Sequence, residues 1–286
     1  MLWSVANNLL RRKTLSKIPE IRAGRGNLIL RQAEGSDEIA ACQKLRFRVF
    51  YEELGARADN DTIANQRDQD DFDAICDHLV VVQADRPADP GTIGLKDGEL
   101  IGTYRLLRQE IASAHGGFYT QGEFDIAPVI AAHPNLRFLE LGRSCVLKPF
   151  RTKPVVELLW QGIWNYVRAH DLHVMLGCAS LEGTDPEAHA RALSFLAYNA
   201  APPAEWHVRA LESRYVDMKR LPPETIEPKQ ALRELPPLIK GYLRLGCYIG
   251  EGAVIDEQFN TIDVLIVLPV SAISRRYFSH FGRPSD

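Results

Sequence analysis

The chain is short of cysteine, long apolar runs and basic charge. Its five cysteines lie far apart, at 42, 76, 145, 178 and 247. None forms a CxxC pair or groups with histidine, which argues against a disulfide framework or a zinc site and fits a reducing cytoplasm. No apolar stretch approaches the roughly 18 residues of a membrane span. The start has no apolar core followed by a small-residue cleavage site, so no signal peptide is expected. A formal net charge of −3 over 286 residues gives no basic stripe for nucleic acid. A glycine-rich dinucleotide fingerprint, a P-loop, a nucleophile elbow and an HExxH motif are all missing. His115, His133, His170 and His173 lack metal-ligand spacing. No metal is expected.

What is present is a 45% hydrophobic chain, enough for one large domain or a core domain with an extension. The segment 1–26 reads as a basic N-terminal tail, and 27–286 as the domain, with a C-terminal extension from about 200. Met1 to Arg31 holds seven Lys or Arg against a single acid, Glu20. Trp3, Val5, Leu9 and Leu10 precede Arg11-Arg12-Lys13. That pattern reads either as a basic tail or as an amphipathic segment on an anionic membrane surface. The expected location is cytoplasmic, with peripheral contact at the inner membrane.

Hydrophobic periodicity sets the element order. Leu28–Ala33 reads as a strand, and Ser36 as the N-cap of a helix over about 36–54 with Ile39, Cys42, Val49 and Phe50 on its apolar face. Arg46 falls inside that stripe, so it is either a buried ion pair or faces a site. The run 57–77 is acid-rich, and Phe72 and Ile75 interleave its aspartates. Leu79–Val82 reads as a strand. Lys96-Asp97-Gly98-Glu99 reads as a turn into the strand Leu100–Leu107, which carries Arg105. Strand 136–147, a helix from Pro154 to about His170, strand His173–Cys178 and helix Pro186–Tyr198 follow. The proline-rich stretch 200–236 reads as a linker or lid. Leu238–Leu245, Ala253–Ile255 and Val264–Val267 close the order, the last two as paired strands. Together this is a mixed α/β sheet flanked by helices, not a regular βαβ barrel.

Within the strand 136–147 stands Glu140-Leu-Gly-Arg143-Ser-Cys-Val146. Charges inside an apolar run are paired or at work. Strict alternation sends Glu140 and Arg143 to opposite faces. Gly142 between them points to a β-bulge, which brings both to one face and leaves backbone N–H groups free for an oxyanion.

These elements and strings resemble the N-acyltransferases of the acetyltransferase-like (GNAT-like) superfamily. The acyl-homoserine-lactone synthases show an Arg with a Phe four later, an acidic pair spaced by three, an Arg on a hairpin strand and Glu-x-x-Arg on the next. Here these positions are Arg46 and Phe50, Asp70 and Asp73, Arg105, and Glu140 with Arg143. The chain departs from those synthases at Glu53-Leu54-Gly55-Ala56, where they carry a Trp, and it is longer. The end, Leu235 to Asp256 followed by Phe-Asn-Thr from Phe259, with Leu176-Gly-Cys-Ala-Ser before it, is similar to the ornithine N-acyltransferases (lyso-ornithine lipid synthases) of Gram-negative bacteria. That resemblance covers most of the chain beyond the tail. It implies transfer of a 3-hydroxyacyl group from acyl carrier protein to the α-amine of L-ornithine, with acyl-phosphopantetheine as donor and no separate cofactor. The alternatives are an acyl-homoserine-lactone synthase or a membrane-associated binding or lytic protein without catalysis.

On this reading Glu140 is the general base, and Arg143 positions it or binds the substrate carboxylate. Arg46 and Arg105 hold that carboxylate. Asp70 and Asp73 order the pocket or pair with the side-chain ammonium. The opposing reading is a structural Arg–Asp network bracing the acidic loop. Phe50 is counted with the acceptor site, although its place on the apolar helix face favours a core role. On the donor side stand Val146 and the loop Lys148-Pro-Phe-Arg151-Thr-Lys153-Pro154. That loop has no glycine to cradle a pyrophosphate. Lys148, Arg151 and Lys153 suit an acidic carrier protein, or are simply solvated.

Overall fold

The computed structural model describes residues 21–86 and 91–273. The basic cluster at 11–13 and its flanking apolar residues lie outside the described residues. The sheet opens with a hairpin of β1 (Arg22–Arg25) and β2 (Leu28–Gln32). Residues 22–25, which the sequence groups with the basic tail, are therefore an edge strand.

Helix α1 (Gly35–Phe47) follows and runs directly into a π-helical turn, Arg48–Glu53. Together they match the helix expected over 36–54. The cap does not match: Glu34 holds the cap position, its own side chain makes no capping bond, and its backbone N–H donates to Glu38 Oε2 at 2.7 Å. Asp37 and Glu38 in the first turn and Lys44 and Arg46 in the last complement the helix dipole. Ala41, Cys42, Leu45 and Val49 pack against Val80, Val82, Leu100 and Cys145 of the sheet. The wider π turn, a feature that clusters at functional sites, carries Phe50 to the cavity wall.

A short α2 (Asn60–Asn65) precedes β3 (Asp77–Gln83), β4 (Gly94–Leu95) and β5 (Gly98–Arg108). The turn expected at 96–99 joins β4 to β5. Then come α3 (Gln109–Ala114), α4 (Ala127–Ala132), β6 (Phe138–Val146), α5 (Lys153–Ala169), β7 (Val174–Glu182) and α6 (Ala190–Asn199). The chain continues through β8 (Tyr215–Val216), α7 (Pro228–Glu234), α8 (Pro237–Leu245), β9 (Tyr248–Asp256) and β10 (Thr261–Pro269).

Among the described residues these strands form one ten-stranded sheet, ordered β1-β2-β3-β5-β6-β7-β10-β9-β8, with β4 beside β5. Its neighbours are antiparallel except β6 and β7. Helix α5 lays Val155, Leu158, Leu159, Ile163 and Trp164 on one face, in the main core with Leu79, Ile101, Leu141 and Val264. This is the expected acetyltransferase-like mixed sheet. The stretch 200–236 is neither linker nor lid. Val208, Ala210, Met218, Ala231 and Leu235 are buried. Ser194 Oγ donates to the Met218 carbonyl and accepts from the Arg220 and Leu221 N–H groups, so hydrogen bonds hold the irregular backbone down.

Candidate active site

The site arises where β6 and β7 part. Their parallel pairing spans only Phe138–Val174, Leu139–Met175 and Glu140–Leu176. At the point of divergence Gly177 lies so close to β6 that a Cβ would sit 2.2 Å from the Leu141 carbonyl oxygen. Beyond it, among the described residues, no strand pairs with β6 on that side. On the other edge the register slips: Arg105 faces Gly142 while Thr103 faces Cys145, so three steps on β6 match two on β5. The extra residue is a bulge, with Arg143 left-handed at φ 51°. The bulge expected at Gly142 thus forms one residue later, and Glu140 and Arg143 both line one cavity of about 340 Å³.

Glu140 is 6% exposed. Its two carboxylate oxygens accept the backbone N–H groups of Thr120 (2.7 Å) and Tyr119 (3.1 Å). Burial pushes its pKa up, against the pull of these bonds and of Arg105. The carboxylate is thus anchored to the turn Tyr119–Gly122 and still faces the cavity.

The arginines and aspartates form one network. Arg46 is fully buried, with Nε 2.7 Å from Asp68 Oδ2 and Nη2 2.8 Å from both Asp73 oxygens. Arg105 Nη1 reaches Asp70 Oδ1 at 2.5 Å and Asp73 Oδ1 at 3.3 Å. Arg143 Nη2 lies 3.3 Å from Asp70 Oδ2, and its Nε lies 3.3 Å from Asp68 Oδ2 without hydrogen-bond alignment. Burial opposes ionisation of Asp73, yet Arg46 and Arg105 hold it below the usual carboxylate range. Of these groups Arg105, Arg143 and Phe50 line the cavity; Arg46, Asp70 and Asp73 stand behind it. The two 3.3 Å contacts are long for charge-assisted bonds, so Arg143 retains donor capacity. Its guanidinium lies 4.8 Å from the Tyr119 ring centroid and 4.5 Å from that of Phe259, and Phe259 meets Phe50 edge-on at 5.6 Å.

The donor residues stand apart from this cavity. Lys148, Arg151 and Lys153 are exposed and none lines it. The Arg151 fork binds Glu53 at 2.6 and 2.8 Å, and its Nε donates to the Val146 carbonyl at 2.9 Å. Lys153 lies 3.5 Å from Glu157. Val146 is half-buried against the main core.

A second charged group was not singled out from the sequence. Asp256 and Asp263 line the cavity, and Glu123 stands behind them. One ligand atom each of Glu123, Cys178 and Asp263 lies within 4.8 Å of the others. Burial and then Asp263 push Glu123 up, and burial raises Asp263 in turn. Asp263 interrupts the apolar run Ile262–Leu268 just as Glu140 interrupts its own, which is the signal that identifies it. Glu123 sits in an irregular stretch and gives none. Burial raises the Cys178 thiol well above its ordinary value and Cys76 to about 12, so neither offers a thiolate. Cys145 packs on the α1 side and does not line the cavity.

Residues 45–161 match the family described as acetyltransferase (GNAT) domain. The chain is 51% identical over 261 residues to an L-ornithine N(alpha)-acyltransferase of Agrobacterium fabrum, covering 91% of this chain and 87% of that one. It is 47% identical over 277 residues to the enzyme of the same name from Rhizobium meliloti, covering 97% and 92%. FeeM, an N-acyl amino acid synthase from uncultured soil microbes, overlays loosely, with a TM-score of 0.48 and 11% identity over 88% of this chain and 97% of its own. Identity at this level across nine-tenths of the sequence decides the matter: the chain is an N-acyltransferase and belongs to the L-ornithine N(alpha)-acyltransferase family.

Proposed function

We propose that the chain transfers a 3-hydroxyacyl group from acyl carrier protein to the α-amine of L-ornithine, yielding a lyso-ornithine lipid. One observation carries the reading beyond the family: the cavity is charge-polarised. Guanidinium groups of Arg105 and Arg143 face it from β5 and β6, and the carboxylates of Asp256 and Asp263 face it from β9 and β10. A diamino acid carries the complementary charges.

Aminolysis of a thioester forms one C–N bond and breaks one C–S bond. The α-amine is an ammonium near pH 7 and must lose a proton before it attacks. Glu140, buried and facing the cavity, takes that proton directly or through a water. The carbonyl oxygen gains charge as the tetrahedral intermediate forms, and N–H groups on the unpartnered edge of β6 stabilise it. The intermediate collapses, the departing phosphopantetheine sulfur takes one of the two protons that the nitrogen gives up, and the other leaves to solvent. Arg143, the less committed guanidinium, binds the acceptor carboxylate, with Arg105 behind it. Guanidinium stays charged throughout, so neither arginine moves a proton.

The donor is read from the loop before α5. It offers no glycine cradle for a pyrophosphate, whereas exposed Lys148, Arg151 and Lys153 suit an acidic carrier protein. The product carries one acyl chain and is best released at a bilayer. Trp3, Leu9 and Leu10 with Arg11, Arg12 and Lys13 suit reversible contact with an anionic cytoplasmic membrane face. Among the described residues no helix is long and apolar enough to cross a membrane. The test compares 3-hydroxyacyl carrier protein with the matching acyl-coenzyme A at saturating ornithine. A higher kcat/KM with the carrier protein supports the donor assignment. Equal or better use of the coenzyme overturns it.

A further inference from the structure

We infer that Asp263, backed by Glu123, holds the side-chain ammonium of the acceptor and thereby makes the cavity selective for a diamino acid. This rests on the proposed acyl transfer and adds the group that recognises the far end of the acceptor. The aspartates that the sequence offered for that task are committed elsewhere. Asp73 is bound by Arg46, Gln43 and Arg105, and Asp70 by Arg105 and Arg143, and neither lines the cavity.

Asp263 is 6% exposed yet lies on the cavity wall, with Oδ1 accepting the Thr261 hydroxyl at 2.9 Å. Glu123, at 2% exposure, is buried further. Its nearest cation is Arg214, whose Nη1 lies 3.5 Å from Oε1. Among the described residues its Oε2 has no aligned hydrogen-bond partner, and the other donor beside the carboxyl is the weak Cys178 thiol. A buried carboxylate oxygen without a donor is costly, and two such carboxylates together are costlier. Burial disfavours ionisation of both, and a neighbouring carboxylate adds to it: Asp263 for Glu123, and Asp256 for Asp263. An arriving ammonium brings three N–H donors and a positive charge, which lets both groups ionise. The site therefore gains more from a cation than a solvated acidic surface would. Cys178 completes the trio but is held as a thiol, which suits an ammonium better than a thiolate-bound metal.

The placement also fits the reaction. Thr120 links the two halves of the cavity: its N–H donates to Glu140, and its hydroxyl lies 3.9 Å from Cys178 Sγ. An acceptor with its carboxylate on Arg143 and its side-chain ammonium on Asp263 leaves its α-amine toward Glu140.

L-norvaline has the carbon skeleton of L-ornithine without the terminal amine, so the pair isolates that one group. Steady-state acylation of both is measured from one acyl carrier protein donor, with wild type, Asp263→Asn and Glu123→Gln. The wild type is expected to prefer ornithine. Asp263→Asn, which keeps an acceptor for Thr261, should collapse the ornithine-to-norvaline ratio of kcat/KM about a hundredfold, mainly through KM for ornithine. Glu123→Gln should lower the same ratio about tenfold, and it decides the matter if Asp263→Asn does not fold. A wild type that acylates both amines equally overturns this inference and leaves the proposed reaction standing. So does a variant that slows both amines by the same factor. A wild type that acylates neither overturns the reaction itself, and the inference with it.

Discussion

Removing Arg46 should unfold the protein more readily rather than blunt its affinity for the amine. The side chain is fully buried and commits Nε and Nη2 to Asp68 and Asp73, whose side chains are 6% and 5% exposed. Truncation to alanine leaves two buried carboxylates whose remaining guanidinium partners, Arg143 and Arg105, are each 3.3 Å away, with the neutral donors Gln43 and Tyr51 and the Asp70 N–H beside them. Breaking a buried ion pair by removing one partner costs about 3–5 kcal/mol. For a chain of this size each kcal/mol moves Tm by roughly 2–4 °C, so Arg46→Ala should melt about 6–20 °C lower. Arg46→Lys keeps the charge but loses the fork, and should fall in between. The pH dependence has a definite sign. Asp73 is held below its ordinary value in the fold, so the stability it contributes is complete above the ordinary aspartate range and is lost as pH falls through the folded value. The Tm gap between wild type and variant should therefore be full at neutral pH and narrow below about pH 4. Thermal unfolding followed by circular dichroism, beside KM for the amine at 20 °C, checks both parts. A variant that melts with the wild type and shows only a raised KM would make Arg46 a substrate ligand and refute the bracing role.

Glu140→Gln should slow transfer about a hundredfold or more, the usual range for a lost general base. It should also lose roughly 1–3 kcal/mol, because an amide sets one NH2 against the N–H groups of Tyr119 and Thr120; near-normal turnover in the folded variant contradicts the base assignment. Glu123 is pushed up from its ordinary 4.5 to about 7, so between those values the folded state holds a proton that the unfolded state lacks, and stability falls as pH rises. Glu123→Gln removes that loss and should gain up to about 3 kcal/mol on the wild type between pH 4 and pH 8, visible in paired melting curves; a gap that does not change with pH refutes it. Charge reversal at Lys148, Arg151 and Lys153 should raise KM for the carrier protein and flatten its salt dependence, and an equal rise with acyl-coenzyme A would remove the docking role.

The parts of the site legible in the sequence are those where charge interrupts an apolar pattern. Glu140 and Arg143 announce themselves that way, and Gly142 between them points to the bulge that the register slip at Arg143 provides. Arg46 inside a helical stripe announces a buried pair, although periodicity alone does not distinguish a brace from a ligand. What stayed hidden depends on contacts distant in sequence. Glu123 lies in an irregular turn and gains meaning only when β10 brings Asp263 beside it. Ahead of α7 the run 200–227 has no periodicity because hydrogen bonds from Ser194 and bridges to Phe124 and Glu251, rather than α-helices or long strands, fasten it down. Strand β1 is missed because Arg22 and Arg25 read as a basic tail, while a turn at Gly26 lets them pair with β2.

Amine-dependent thiol release tests the central claim most directly. Purified protein is mixed with 3-hydroxyacyl carrier protein and L-ornithine, free phosphopantetheine thiol is followed over time, and the products are fragmented by mass spectrometry. One thiol per acyl-ornithine formed, with the acyl group on the α-nitrogen, is the predicted result. Thiol release that does not depend on ornithine, or a product acylated on the side-chain nitrogen, would contradict it.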